Sequence, residues 1–163
     1  MCSDLASMSS QTCTKCTILV TQTEPNNQRL ISSLTALGLR GIAAPCSVAT
    51  VKKISQFAVR SCQEAECWIF LSSHAARYGS EAIDKLECSK TTIAIGPSTR
   101  ETLLELGWNV DLIPEKDYDS HGIAALDYFT ETSGRSVVLF GSSPSNQLLA
   151  DKLRKQGHYV KKV

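Results

Sequence analysis

The sequence predicts an α/β protein built on a mostly parallel sheet. Three observations carry that expectation. Short apolar runs alternate with segments of helical periodicity from Thr17 to the end of the chain. Glycines close several helical segments, at Gly38, Gly107 and Gly157, where a left-handed residue suits a helix end. The turns after the apolar runs carry glycine, serine and threonine, which suits passage from a strand into a helix. Strands separated by helices of about 10–15 residues form βαβ units, and right-handed crossovers place helices on both faces.

Each element follows from its own pattern. Thr17 to Thr21 reads as a buried strand, and Gln22 to Asn27 as a polar turn. Leu30, Ile31, Leu34 and Leu37 recur at helical spacing before Gly38. Leu39 to Ala44 is a second short strand, ended by Pro45. Val51, Ile54, Phe57 and Ala58 mark a helix. Cys67 to Leu71 is a buried strand containing Trp68, and Ser72-Ser73 offers a cap to the next helix. Thr91 to Ile95 is a strand and Pro97 to Leu106 its helix, with proline in the first turn where its missing N–H costs nothing. Trp108 is expected to pack that helix end. Val110 to Ile113 reads as a short strand, and Ser120 as the cap of a helix running to about Thr130. Ser136 to Phe140 is a strand. Gly141-Ser142-Ser143-Pro144 opens a helix to about Gln156, and His158 to Val163 begins another strand.

The polar stretch after Pro45 reads as a boundary. Residues 1–16 are rich in Ser, Thr and Cys and are expected to form a disordered tail. Residues 17–44 form one strand–helix–strand unit, too small to bury both its faces. Residues 45–160 form a larger α/β domain, and 161–163 start a further strand. The small unit needs more chain to complete it, so the fold is expected to be cut short.

Composition narrows the function. The 163 residues are 42% hydrophobic and 20% charged, which predicts a packed core. A net charge of +1 offers no electrostatic footprint for nucleic acid or an acidic membrane. No apolar run approaches the roughly 18 residues that span a bilayer. Seven cysteines, an odd number, appear without a secretory signal, so the expected compartment is reducing and cytoplasmic. Cys62, Cys67 and Cys88 are read as small buried apolar groups. Cys13-Thr14-Lys15-Cys16 is a lone pair and is read as coincidence within the tail, not a metal site.

Ligands of parallel sheets sit at the carboxyl ends of the strands. The candidate binding residues are therefore Thr21, Ser72, Ser73, Gly96, Ser98, Thr99, Gly141, Ser142 and Ser143. They are hydroxyl groups and backbone N–H groups at helix starts, a composition that receives anions. No GxGxxG, phosphate-loop lysine or GxSxG motif follows any strand. His74, His121 and His158 lack metal-ligand spacing. The cluster Lys152, Arg154, Lys155, Lys161 and Lys162 is read as a solvated basic face.

Taken together and in order, several segments resemble uroporphyrinogen-III synthases. They are Ile18-Leu19-Val20-Thr21, Pro45 after the second strand, Trp68-Ile69-Phe70-Leu71-Ser72-Ser73-His74-Ala75, and Ala94-Ile95-Gly96-Pro97-Ser98-Thr99 running to Gly107. Asp119-Ser120-His121-Gly122 and Val138-Leu139-Phe140-Gly141 with Leu149, Leu153 and Gly157 complete the pattern. The resemblance implies two α/β domains joined by a two-stranded linker. The second would be flavodoxin-like and the first incomplete here, with the return segment lying beyond Val163. It implies closure of the linear tetrapyrrole hydroxymethylbilane with loss of water and inversion of the last pyrrole ring, without metal or organic cofactor. It also implies a monomer, although an uncovered face on residues 17–44 would show as self-association.

By the same resemblance Thr99, Ser72 and Thr21 match family hydroxyl positions. Leu71 stands where threonine is common, Gln22 where bacterial members often carry arginine, and Asn146 near a frequently basic position. No catalytic residue is assigned, because the family's proposed proton-transfer tyrosine falls beyond Val163. The competing expectation is a non-catalytic α/β domain that binds an anion or a protein partner.

Overall fold

The structure is a computed structural model, and it describes residues 17–50, 54–83, 89–142 and 147–163. The expected tail, the Cys13–Cys16 pair, Val51, Cys88, Ser143, Pro144 and Asn146 lie outside the described residues. The chain divides into two compact units, Met1–Thr50 and Val51–Val163.

The first unit contains β1 (Thr17–Val20), α1 (Asn26–Ala36) and β2 (Arg40–Ala43). The strands pair in parallel, with Ile18 opposite Gly41 and Leu19 opposite Ile42. Alternation along a strand puts these two pairs on opposite faces. Gly41 faces α1: a Cβ there would lie 3.2 Å from both Ile31 Cγ1 and Leu34 Cδ1. The other face is open, with Leu19 64% and Ile42 40% exposed. Two strands and one helix leave this face uncovered within the unit.

The second unit holds α2 (Gln56–Glu64), β3 (Cys67–Phe70), α3 (Ser73–Ile83), β4 (Thr91–Ala94), α4 (Pro97–Glu105), α5 (Ser120–Ala124), α6 (Asp127–Thr130), β5 (Ser136–Phe140), α7 (Gln147–Lys155) and β6 (Tyr159–Lys162). Its strands are parallel in the order β4-β3-β5-β6. Numbered within the unit this is 2-1-3-4, the order that opens a flavodoxin-type sheet.

Both sheet faces are covered, which explains why β3 reads as an uninterrupted apolar run. On one face Trp68, Phe70, Ala94, Val138 and Phe140 pack with Cys62, Ala76, Ile83 and Leu103 from α2, α3 and α4. On the other, Cys67, Ile69, Ile93, Val137 and Leu139 pack with residues of α5, α6 and α7. Trp68 is fully buried, and its indole N–H donates to the Cys62 carbonyl at 3.1 Å. Trp108 packs against it, ring centroids 5.6 Å apart, at the end of α4. Burial holds the Cys62 thiol up at about 11 and pushes Cys67 higher still, so neither is a reactive thiolate.

Four expectations need correction. Ile54 precedes α2, which starts after Ser55, whose hydroxyl accepts from Ala58 N–H at 3.2 Å. Val110 to Ile113 is not a strand; it contributes one parallel bridge from Leu112 to Ile93, and Asp111 turns its carboxylate to the Thr92 N–H at 2.8 Å instead. The helix expected from Ser120 to Thr130 is two short helices, broken at Ala125 and Leu126. Its cap is Asp119, one residue earlier than Ser120, with one carboxylate oxygen accepting from His121 N–H at 2.6 Å and Gly122 N–H at 3.1 Å. Ser120 is buried instead. Aspartate ranks with serine as a cap, and the first of two adjacent candidates wins here.

Candidate functional site at the carboxyl edge of the sheet

Hydrogen bonds that continue past the strand ends line up the turns of the second unit. Ile95 N–H donates to Phe70 O at 3.0 Å, Leu71 N–H to Phe140 O at 3.0 Å, and Gly141 N–H to Val163 O at 3.3 Å. Ser72-Ser73, Gly96 and Gly141-Ser142 therefore leave one edge of one sheet. The strand order reverses between β3 and β5, so Ser72-Ser73 and Gly141-Ser142 flank the switch point where such sheets hold ligands.

The individual residues do different things. Ser72 is half-buried and caps α3, its hydroxyl accepting from Ala75 N–H at 3.0 Å. Ser73 and Ser98 join the starts of α3 and α4, hydroxyl to hydroxyl at 3.0 Å. Gly96 is the cap residue of α4 and carries no side-chain cap, and Pro97 follows in the first turn. The first intrahelical bond of α4 runs from Arg100 N–H to Gly96 O. The N–H groups of Ser98 and Thr99 precede it and lack an acceptor within the helix. Thr99 is only 4% exposed, which turns its side chain into the fold. Ser98 and Ser142 are exposed. Thr21 belongs to the first unit, is exposed, and accepts from Cys46 N–H through its carbonyl at 3.3 Å. Ser143 lies outside the described residues.

The basic end separates into pinned and edge charges. Lys161 donates to the Ser61 hydroxyl at 3.1 Å and lies 4.6 Å from the centre of the Phe57 ring. Arg154 donates to Val160 O at 2.8 Å and pairs with Asp151 at 3.5 Å. Both residues are exposed, as a solvated face requires, and these bonds hold their side chains in place. Lys162 stands at the carboxyl end of β6 and donates to Gln147 Oε1 at 2.8 Å, at the start of α7. Sequence reasoning grouped it with its neighbours; the signal that separates it is alternation, since Lys161 and Lys162 must face opposite sides of the sheet. Tyr118 was also missed, and it lies against Gly96.

His158 is 3% exposed. Its Nδ1 accepts from Arg135 N–H at 3.3 Å and its Nε2 meets Phe129 O at 3.0 Å. That pattern fits a proton on Nε2 and a structural role. Among the described residues no group of three or more His, Cys, Asp and Glu side chains is placed to hold a metal ion. No described helix is long and apolar enough to cross a membrane. A groove of about 440 Å³ lies among Phe129 to Ser133 and Gln156, residues that precede β5 and β6, so it opens away from the candidate site.

Comparison with known proteins bears on this edge. No curated protein sequence matches significantly. Among solved structures the chain is similar to a mutant uroporphyrinogen III synthase from the extremely thermophilic bacterium Thermus thermophilus, with TM-score 0.60 and 16% identity over 90% of this chain and 60% of that one. The wild-type enzyme from the same bacterium gives TM-score 0.54 and 18% identity over 90% and 59%. A further Thermus thermophilus uroporphyrinogen III synthase gives 0.50 and 17% over 90% and 60%. The chain thus spans about three fifths of the length of these relatives, and at these identities they establish the fold. The sequence profile of uroporphyrinogen-III synthase HemD matches residues 28–163, from α1 to the last residue of β6 and beyond it. On that match, which takes in every strand end of the second unit, the chain belongs to the uroporphyrinogen-III synthase family.

Proposed function

We propose that this chain supplies the substrate-holding edge of a cyclising lyase, which converts hydroxymethylbilane to uroporphyrinogen III in tetrapyrrole biosynthesis. The observation that carries the reading is the family match over residues 28–163. The geometry of the edge supports it. The substrate is a chain of pyrroles bearing many carboxylates, and its hydroxyl departs readily to leave an electrophilic end. An enzyme must hold that chain in one folded shape and assist the departure. The starts of α3 and α4, with the Ser73 and Ser98 hydroxyls between them, offer hydrogen-bond donors and positive dipole ends to carboxylates. Lys162 adds a cation on the same edge. This is how a protein of net charge +1 can receive a polyanion.

In this reading residues 17–44 open a first domain, 45–160 form the second, and 161–163 lead into a linker. Thr21, Ser72, Ser73, Gly96, Ser98, Thr99, Gly141, Ser142 and Ser143 remain the proposed binding set, with Ser72 contributing its backbone rather than its capping hydroxyl. No cofactor is required. The cytoplasm is the proposed compartment.

The test is the III:I isomer ratio formed from fresh hydroxymethylbilane. The substrate closes unaided to isomer I, so the background is internal. Excess isomer III, reduced in Ser98→Ala at unchanged stability, supports the reading. Ser72→Ala should instead lower stability by about 1 kcal/mol through the lost cap. Isomer I alone from the wild-type chain, together with no binding of a bilane that cannot cyclise, overturns the reading.

A further inference from the structure

Gly96 has φ −169° and ψ 178°, extended backbone that any residue adopts. Its lack of a side chain answers to something else. A Cβ at this position would lie 3.1 Å from Tyr118 Cβ, 3.3 Å from Cγ and 3.7 Å from Cδ1. The Tyr118 ring is thus seated on the residue that opens α4. The ring is nevertheless half-exposed, at 50%.

The segment that carries it is held on both sides. Upstream, Asp111 N–H donates to Thr92 O at 2.9 Å and Ala94 N–H to Leu112 O at 3.1 Å, which fastens the segment to β4. Downstream, Asp119 caps α5. Between them the Asp117 carbonyl packs so closely on Gly122 that no side chain fits there. Tyr118 therefore presents a half-exposed aromatic ring against Gly96, the residue that opens α4. A rigid aromatic with two rotatable bonds provides contact area at small entropic cost.

We propose that Tyr118 is a substrate-contacting residue: its ring forms a flat wall beside the α4 N-terminus against which one pyrrole ring of the bound tetrapyrrole packs, while a carboxylate arm of that pyrrole reaches the α4 start. This rests on the reading given under Proposed function. Pyrroles are planar and electron-rich, and offset or edge-to-face packing on a phenol ring suits them.

The probe is a linear octacarboxylate bilane lacking the hydroxymethyl group, which cannot cyclise. Its affinity for the full chain is measured by calorimetry, with thermal melts of every variant alongside. Tyr118→Ala should weaken binding about tenfold, the upper range for one aromatic pair. Tyr118→Phe keeps the ring and should stay within about twofold. Gly96→Ala leaves the backbone unstrained but displaces the ring by a few tenths of an ångström, and should weaken binding. In turnover the loss in Tyr118→Ala should fall on KM more than on kcat. If the wild-type chain binds the bilane and Tyr118→Ala and Gly96→Ala bind it equally well, the inference is overturned and the functional reading stands. If Tyr118→Phe is as weak as Tyr118→Ala, the hydroxyl carries the contact and the stacking is wrong. If the wild-type chain does not bind, the functional reading fails and takes this inference with it.

Discussion

Asp119 shows how one side chain can set a local boundary and a pH dependence together. The backbone bonds it accepts from Gly122 and His121 hold its carboxyl below the usual aspartate value. Because the folded value lies below the unfolded one, the cap contributes fully above the unfolded carboxylate range. It is lost as the pH falls through the folded value. The carboxylate is solvent-exposed, so the effect is a small one and sensitive to salt. Asp119→Ala should therefore melt lower than wild type at pH 7, and the gap should close below about pH 4. Paired thermal melts from pH 7 to pH 2.5 check it; a gap that persists at the acid end would show that the aspartate acts through packing rather than through its charge. The same residue explains a misreading of the sequence. Aspartate and serine stand side by side at 119 and 120, and both are good caps. Only the tertiary burial of Ser120 decides between them.

At the scale of elements, the docking of α3 on the sheet depends on the absence of a side chain at Gly79. A Cβ there would sit 2.8 Å from Phe140 Cδ1, and 3.2 Å from Phe140 Cγ and from Phe70 Cε1. Phe140 cannot yield easily: it is 2% exposed and stacked on Phe70 at 4.7 Å with planes 10° apart. Alanine would gain up to about 1 kcal/mol of helix propensity, yet overpacking of a filled core costs about 1–3 kcal/mol. Gly79→Ala should thus destabilise in net, and Phe140→Leu should recover part of the loss in the double variant. Urea midpoints of the two singles and the double decide it, and a stabilised Gly79→Ala would show that the ring is free to move. No sequence pattern reveals this constraint, because it joins residues 61 positions apart. The strands were legible for the opposite reason. Cys67 to Phe70 and Val137 to Phe140 are buried on both faces, and double burial writes a continuous apolar run. Val110 to Ile113 reads as a short strand but bridges β4 only at Leu112, with Asp111 bonding Thr92 beside it, since edge pairing leaves no mark on composition. The turns of the candidate site were legible because helix starts require glycine, proline and hydroxyls in fixed places. Tyr118 was not, because its contact with Gly96 crosses 22 positions of an irregular segment.

For the molecule as a whole, the two units differ in how much of their sheets they bury. In the second, all of β3 is buried, as are Val137 to Phe140 of β5. In the first, the two strands have one helix between them, and Leu19 and Ile42 form an exposed apolar pair on the other face. Two-stranded sheets are marginal without further cover, and segments with few buried contacts open locally rather than with the whole fold. Amide hydrogen exchange should therefore separate the units. Protection in β3 and β5 should approach the global unfolding limit, whereas β1 and β2 should exchange at least about a hundredfold faster, a difference of roughly 2.8 kcal/mol in opening free energy. Leu19→Gln with Ile42→Gln should leave the protection of β3 and β5 unchanged. Equal protection in β1 and β3 would contradict the open face and require something to cover it. Dilution then identifies the cover: if protection of β1 falls with concentration, a second copy of the chain is seated on Leu19 and Ile42, and the double glutamine variant should abolish both the protection and the association.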